Sequence, residues 1–125
     1  HTGNIDATIV GLEAMDLQLA RILQAVDEVH GIALITADHG NADEMFETDK
    51  KGNIKTDKDG HRKAKTSHTL NKVPCIIYDN TEAKNHYEMK PDEGKFGLSD
   101  VAATMVNLMG YEAPSMWDES LIKVK

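Results

Sequence analysis

The tetrapeptide Asp38-His39-Gly40-Asn41 follows directly on the apolar run Ile32-Ala33-Leu34-Ile35-Thr36-Ala37. A short β-branched and aliphatic run reads as a buried strand, and ligand sites in open α/β sheets lie just beyond the carboxyl ends of such strands. The junction therefore delivers an acid and an imidazole together to one place. Glycine next in line lets the backbone leave the sheet sharply, so that neighbouring side chains converge instead of alternating across the strand. Two other segments carry similar donors: His1 in His1-Thr2-Gly3-Asn4, and His68 in Ser67-His68-Thr69-Leu70-Asn71. All are nitrogen and oxygen ligands without a thiolate, a set that suits Mn²⁺, Zn²⁺, Fe²⁺ or Mg²⁺ better than a cysteine-rich structural zinc site. Taken singly, each is weak, because a lone histidine is more often a surface or satisfied core residue.

The elements that must position these residues are legible in outline. Ile5, Ile9, Leu12, Met15, Leu19, Ile22 and Val26 recur at steps of three and four, which predicts a long amphipathic helix over 4–29 stopped by Gly31. His30 falls in its last turn, where an imidazolium complements the helix dipole, a reading preferred to a catalytic one. Asp16 sits on the apolar face, where a carboxylate needs hydrogen-bonding partners. Residues 47–65 hold two related pentads, Asp49-Lys50-Lys51-Gly52-Asn53 and Asp57-Lys58-Asp59-Gly60-His61, read as the turns of a mobile excursion or small hairpin. A calcium-loop reading fails, since the register puts Lys55 at the first ligand position and Thr66 at the last, which must be an acid. Lys50, Lys51, Lys55, Lys58, Arg62, Lys63 and Lys65 make this stretch basic; a solvated loop is preferred to a lid contacting phosphate. A second strand is expected over 73–78 with Pro74 at its start, then a polar, irregular stretch over 79–97. Ser99 is the expected N-cap of a second helix, with Asp100 favourable to its dipole, ending at Leu108-Met109 with Gly110 beyond. Helix, strand, excursion, strand, helix is an α/β pattern, and two strands are too few for a stable sheet, so the natural sheet should be larger than this chain encodes.

Composition narrows the function classes. The 125 residues are one domain's worth, with 40% hydrophobic and 28% charged residues. No apolar stretch approaches the roughly 20 residues of a membrane span. A net charge of -7 without a segregated Lys/Arg face speaks against nucleic acid or an anionic membrane as partner, so phosphorylated substrates would need positive charge from metals. Cys75 lies in an apolar run and reads as an inert thiol, which makes the cytoplasm the expected compartment. No signal peptide is visible and the chain opens on His1, so an excerpt or processed product is expected.

Together and in order, Thr36-Ala37-Asp38-His39-Gly40-Asn41-Ala42 and Ser67-His68-Thr69-x-Asn71-x-Val73-Pro74 closely resemble the metal-binding segments of the alkaline phosphatase superfamily. With His1-Thr2-Gly3-Asn4 added, the chain resembles the cofactor-independent phosphoglycerate mutases, di-manganese enzymes that interconvert 2- and 3-phosphoglycerate in glycolysis. The likeness covers nearly the whole chain, since Gly97-Leu98-Ser99-Asp100-Val101-Ala102 and Ser120-Leu121-Ile122 resemble that family's final helix and tail. Residues 47–65 are longer than usual, Ala103 replaces a common proline and Asp118 a common glycine.

The resemblance implies an alkaline-phosphatase-like three-layer α/β sandwich, with residues 1–125 as the C-terminal segment of its metal-binding domain. It implies two divalent ions, Mn²⁺ first, with His1 and His68 on one and Asp38 and His39 on the other, clamping the oxygens of an in-line phosphoryl transfer. It implies phosphoglycerate as substrate and the N-terminal part of the same protein as partner. The phosphorylated serine nucleophile of the family lies outside this chain, and Ser67, Ser99, Ser115 and Ser120 carry no sign of activation, so the chain alone should be inactive. Two alternatives stand beside this: a fragment of phosphopentomutase or another phosphohydrolase of the superfamily, and a catalytically silent module that binds metal or a partner chain.

Overall fold

The structure, a computed structural model, describes residues 3–125; the calls on His1 and Thr2 lie outside the described residues. Helix α1 spans Ile5–Glu28. Asn4 caps it, its Oδ1 accepting from the Ala7 N–H at 3.0 Å, and Asp6 adds a favourable charge to the first turn. Its far end corrects the expected stop: the left-handed residue is His30, at φ 52°, not Gly31. The His30 N–H donates to the Asp27 carbonyl at 3.1 Å and the Gly31 N–H to the Val26 carbonyl at 2.8 Å, closing two carbonyls of the last turn. His30 is thus beyond the helix, shaping its exit instead of complementing its dipole. No residue of α1 is buried, and Asp16 is exposed, so the partners expected for its carboxylate are not required.

Strands β1 (Ile32–Thr36) and β2 (Cys75–Asp79) pair in a two-stranded sheet. The stretch expected to be irregular holds a 3₁₀ turn at Glu82–His86 and a third strand, β3 (Tyr87–Met89). Helix α2 runs from Val101 to Leu108, and β4 covers Ile122–Val124. β3 and β4 pair antiparallel, with Tyr87 opposite Val124 and Met89 opposite Ile122. Ser99 does not cap α2; a 3₁₀ turn at Leu98–Asp100 leads into it, and the Asp100 carboxylate accepts from the Gly97 N–H at 2.6 Å.

The described chain divides into two compact units, residues 3–22 with 36–75 and residues 23–35 with 76–125. In the second, the Thr104 hydroxyl, fully buried, donates to the Asp100 carbonyl and accepts from the Leu121 N–H, both at 2.8 Å, which fastens the tail to α2. Ala103, Leu121 and Ile122 are the buried apolar residues beside it. Asp27 joins α1 to β2 through Tyr78 Oη at 2.7 Å and Asn80 Nδ2 at 2.9 Å. Burial pushes the Asp79 carboxyl up, but hydrogen bonds from Thr81 and Tyr87 outweigh it and hold the group below the usual carboxylate range. Among the described residues no helix is long and apolar enough to cross a membrane.

The first unit holds the basic excursion, a closed three-armed arrangement in which each pentad turns between antiparallel bridges, Thr48 with Ile54 and Thr56 with Arg62. The Glu47 N–H donates to the Lys63 carbonyl, Lys63 N–H to Lys55, and Lys55 N–H to Glu47, at 2.9, 2.9 and 2.8 Å. The three arms sit eight residues apart, and the two pentads are the turns between them. In each turn an aspartate bends back: Asp49 Oδ1 accepts from the Lys51 and Asn53 N–H groups, and Asp57 Oδ1 from Asp59 and His61. Glu47 gathers Lys63 at 3.2 Å and Lys55 at 3.6 Å, and the Lys63 hydrogen bond leads in holding its carboxyl below the ordinary range. Arg62 lies over the Phe46 ring, 5.6 Å from its centroid.

Candidate metal centre

β1 ends at Thr36, Asp38 bends away, and a 3₁₀ turn begins at Asn41, with the Asp43 N–H on the Gly40 carbonyl at 3.1 Å. This turn aims the tetrapeptide at the segment that carries His68. Gly40 is buried at φ -102°, a conformation open to any residue, so the need for glycine here is one of space. A Cβ at Gly40 would lie 2.9 Å from Asn71 Cβ and 3.3 Å from the carbonyl oxygens of Asn71 and Lys72. The glycine admits a neighbouring backbone. At the start of the described chain, Gly3 approaches Ala64 in the same way, a Cβ there falling 2.5 Å from Ala64 Cβ.

His39 and His68 meet edge to face, with ring centroids 5.1 Å apart and planes at 75°. His39 is mostly buried, at 23% side-chain exposure, while Asp38, at 86%, faces solvent with Oδ1 3.7 Å from His39 Nε2. The Asn41 N–H donates to His39 Nδ1 at 3.3 Å. The buried Asn41 side chain reaches the other segment, its Oδ1 accepting from the Thr69 N–H at 3.1 Å. Around this contact Glu44 takes the Lys65 ammonium at 2.7 Å and the Asn71 amide at 3.4 Å. Two segments nearly thirty residues apart in the chain are thereby held side by side.

Of the four expected ligands, the structure brings His39 and His68 together, sets Asp38 beside His39, and leaves His1 outside the described residues. Among the described residues no three His, Cys, Asp or Glu side chains converge on one point. The donor chemistry fits divalent ions, and the number of donors falls short of a closed shell, so an ion here needs ligands from elsewhere. One buried polar atom, Thr69 Oγ1, has no hydrogen-bond partner among the described residues, beside His68. A buried hydroxyl without a partner is a place that a bound group would complete.

Comparison with known proteins agrees with that donor chemistry. The sequence model of the Metalloenzyme superfamily matches residues 1–113. The chain belongs to the metalloenzyme superfamily. Within it, the chain is 48% identical over 124 residues to a 2,3-bisphosphoglycerate-independent phosphoglycerate mutase of Trypanosoma brucei brucei, and 44% identical to phosphoglycerate mutase 1 of that kind from Arabidopsis thaliana. In both cases the match takes in 99% of this chain and 22% of the relative, so the chain spans about a fifth of the length of the curated relatives it matches. A Leishmania mexicana phosphoglycerate mutase, solved at low cobalt concentration, superposes with a TM-score of 0.87 at 44% identity, over 100% of this chain and 23% of that one. The fold is therefore the alkaline-phosphatase-like α/β fold expected of this superfamily.

Asn41, Thr69, Glu44 and Lys65 hold the two histidine segments together, a role the motif reading gave to none of them. Asn41 was visible as part of the tetrapeptide. Its bond to Thr69 was not, because nothing local marks a pairing 28 residues away.

Proposed function

We propose that this chain is the C-terminal, metal-binding segment of a cofactor-independent phosphoglycerate mutase, which interconverts 2- and 3-phosphoglycerate through a phosphoserine formed outside these residues. Asp38 and His39 take one divalent ion and His68, with His1, the other; manganese is the expected metal and the cytoplasm the expected compartment. The observation that carries the reading is the 5.1 Å contact of His39 with His68, built by two motifs on separate segments. Such ions, when bound, neutralise phosphoryl oxygens and stabilise an attacking alkoxide. The chain's own contribution is placement. β1 and the Gly40 turn present His39, the Asn41 bond presents His68, and both imidazoles must be neutral to act as ligands. The partner implied for the chain is the remaining, N-terminal part of such a mutase.

The test is a coupled assay of the whole protein with 3-phosphoglycerate, after chelation and after return of Mn²⁺. Activity should vanish with the metal, return with it, and be lost in His39→Ala and His68→Ala. Full activity in both variants, or turnover of a phosphopentose in place of phosphoglycerate, overturns the proposal.

A further inference from the structure

We infer that Asn41 is a positioning residue for the metal site, fixing the spacing of the two histidine segments through its side chain. The inference rests on the ligand reading above and names a residue that touches neither metal nor substrate in it. Asn41 is 8% exposed and stands at the start of the 3₁₀ turn that follows His39. Its Oδ1 accepts from the backbone N–H of Thr69, the residue next to His68. The segment around His68 belongs to no helix or strand, so its placement depends on such cross-bonds. The Glu44 bonds to Lys65 and Asn71 also tie it down, but they lie farther from His68 in the chain, and the Asn71 contact is exposed. A short side chain rooted two residues from His39 and ending on the neighbour of His68 is a spacer of fixed length. Asparagine suits the task because it supplies the acceptor without a buried charge.

Groups that orient metal ligands without binding metal lower affinity by about 10–100-fold when removed. The whole protein, stripped and titrated with Co²⁺, gives both an affinity and a visible ligand-field spectrum, neither of which depends on turnover. Asn41→Ala should weaken binding by about 10–100-fold and alter the spectrum. Asn41→Asp, which keeps an acceptor at the same reach but buries a charge, should hold cobalt more tightly than Asn41→Ala. Asn41→Gln keeps the amide but displaces it by one methylene, so it should fail like alanine; it also serves if the alanine variant does not fold. Parent-like affinity and spectrum in Asn41→Gln overturn the inference, and if His39→Ala and His68→Ala lose cobalt in the same experiment, the ligand reading survives it. If those two histidine variants bind like the parent, the ligand reading itself is the part that falls.

Discussion

Replacing Gly40 by alanine isolates the close approach on which the centre depends. The new Cβ would sit 2.9 Å from Asn71 Cβ, against the roughly 3.5–4.0 Å of carbon atoms in comfortable contact. The two other neighbours, at 3.3 Å, are backbone oxygens of Asn71 and Lys72, so no flexible side-chain end can swing aside. The backbone, at φ -102°, accepts alanine, and alanine restricts the unfolded chain, which favours folding by about 0.4–1 kcal/mol. Overpacking costs about 1–3 kcal/mol. The net expectation is a loss of about 1–2 kcal/mol, with the 71–72 backbone pushed outward. Gly97→Ala is the matched control, since no atom lies within 4 Å of its Cβ position and its backbone is extended at φ -145°. Urea unfolding should show a lower midpoint for Gly40→Ala at unchanged slope, and no loss for Gly97→Ala. A Gly40→Ala midpoint equal to that of Gly97→Ala would refute the reasoning.

Thr104→Val keeps the shape but leaves the Leu121 N–H buried without its acceptor, and should cost about 1–3 kcal/mol by denaturant unfolding; Thr104→Ser should restore most of it. Burial and the Asp79 hydrogen bond push the Tyr87 hydroxyl up to about 12. Because the folded value is the raised one, its stabilisation is complete below about pH 10, the unfolded value, and is lost as pH rises through the folded one. Unfolding midpoints across that alkaline window should fall more steeply for the parent than for Tyr87→Phe, and parallel curves would contradict the assignment. With no buried residue on α1, and Ile9 49%, Leu12 46%, Met15 58% and Ile22 57% exposed, the chain by itself should self-associate. Sedimentation showing a monomer at all concentrations would count against this.

The periodic and the punctuated parts of the chain were legible in the sequence. Three- and four-residue steps gave α1 to within a residue at each end, and the run before Asp38 gave β1. No residue of α1 is buried, and of its apolar stripe Leu19 and Val26 are half-buried, because periodicity reports which residues share a face and not what covers it. β3 and β4 were missed because each is three residues long and the partner lies some 35 residues away. The three-armed turn was half visible: the two Asp-x-x-Gly pentads were seen, but the ring through Glu47, Lys55 and Lys63 is backbone pairing with no side-chain signature. On sequence His30 reads as part of the helix, because a left-handed histidine has no local marker, whereas the glycine beside it does. The motifs around His39 and His68 were readable and their contact was not, since Asn41 joins segments that only folding brings together.

The central claim, that two histidine-bearing segments hold a pair of divalent ions, is tested most directly by anomalous diffraction from crystals of the whole protein grown with Mn²⁺. The account predicts two manganese peaks roughly 4 Å apart, one within bonding distance of Asp38 and His39 and the other of His68. Manganese bound elsewhere, with neither histidine within reach of a peak, would contradict it.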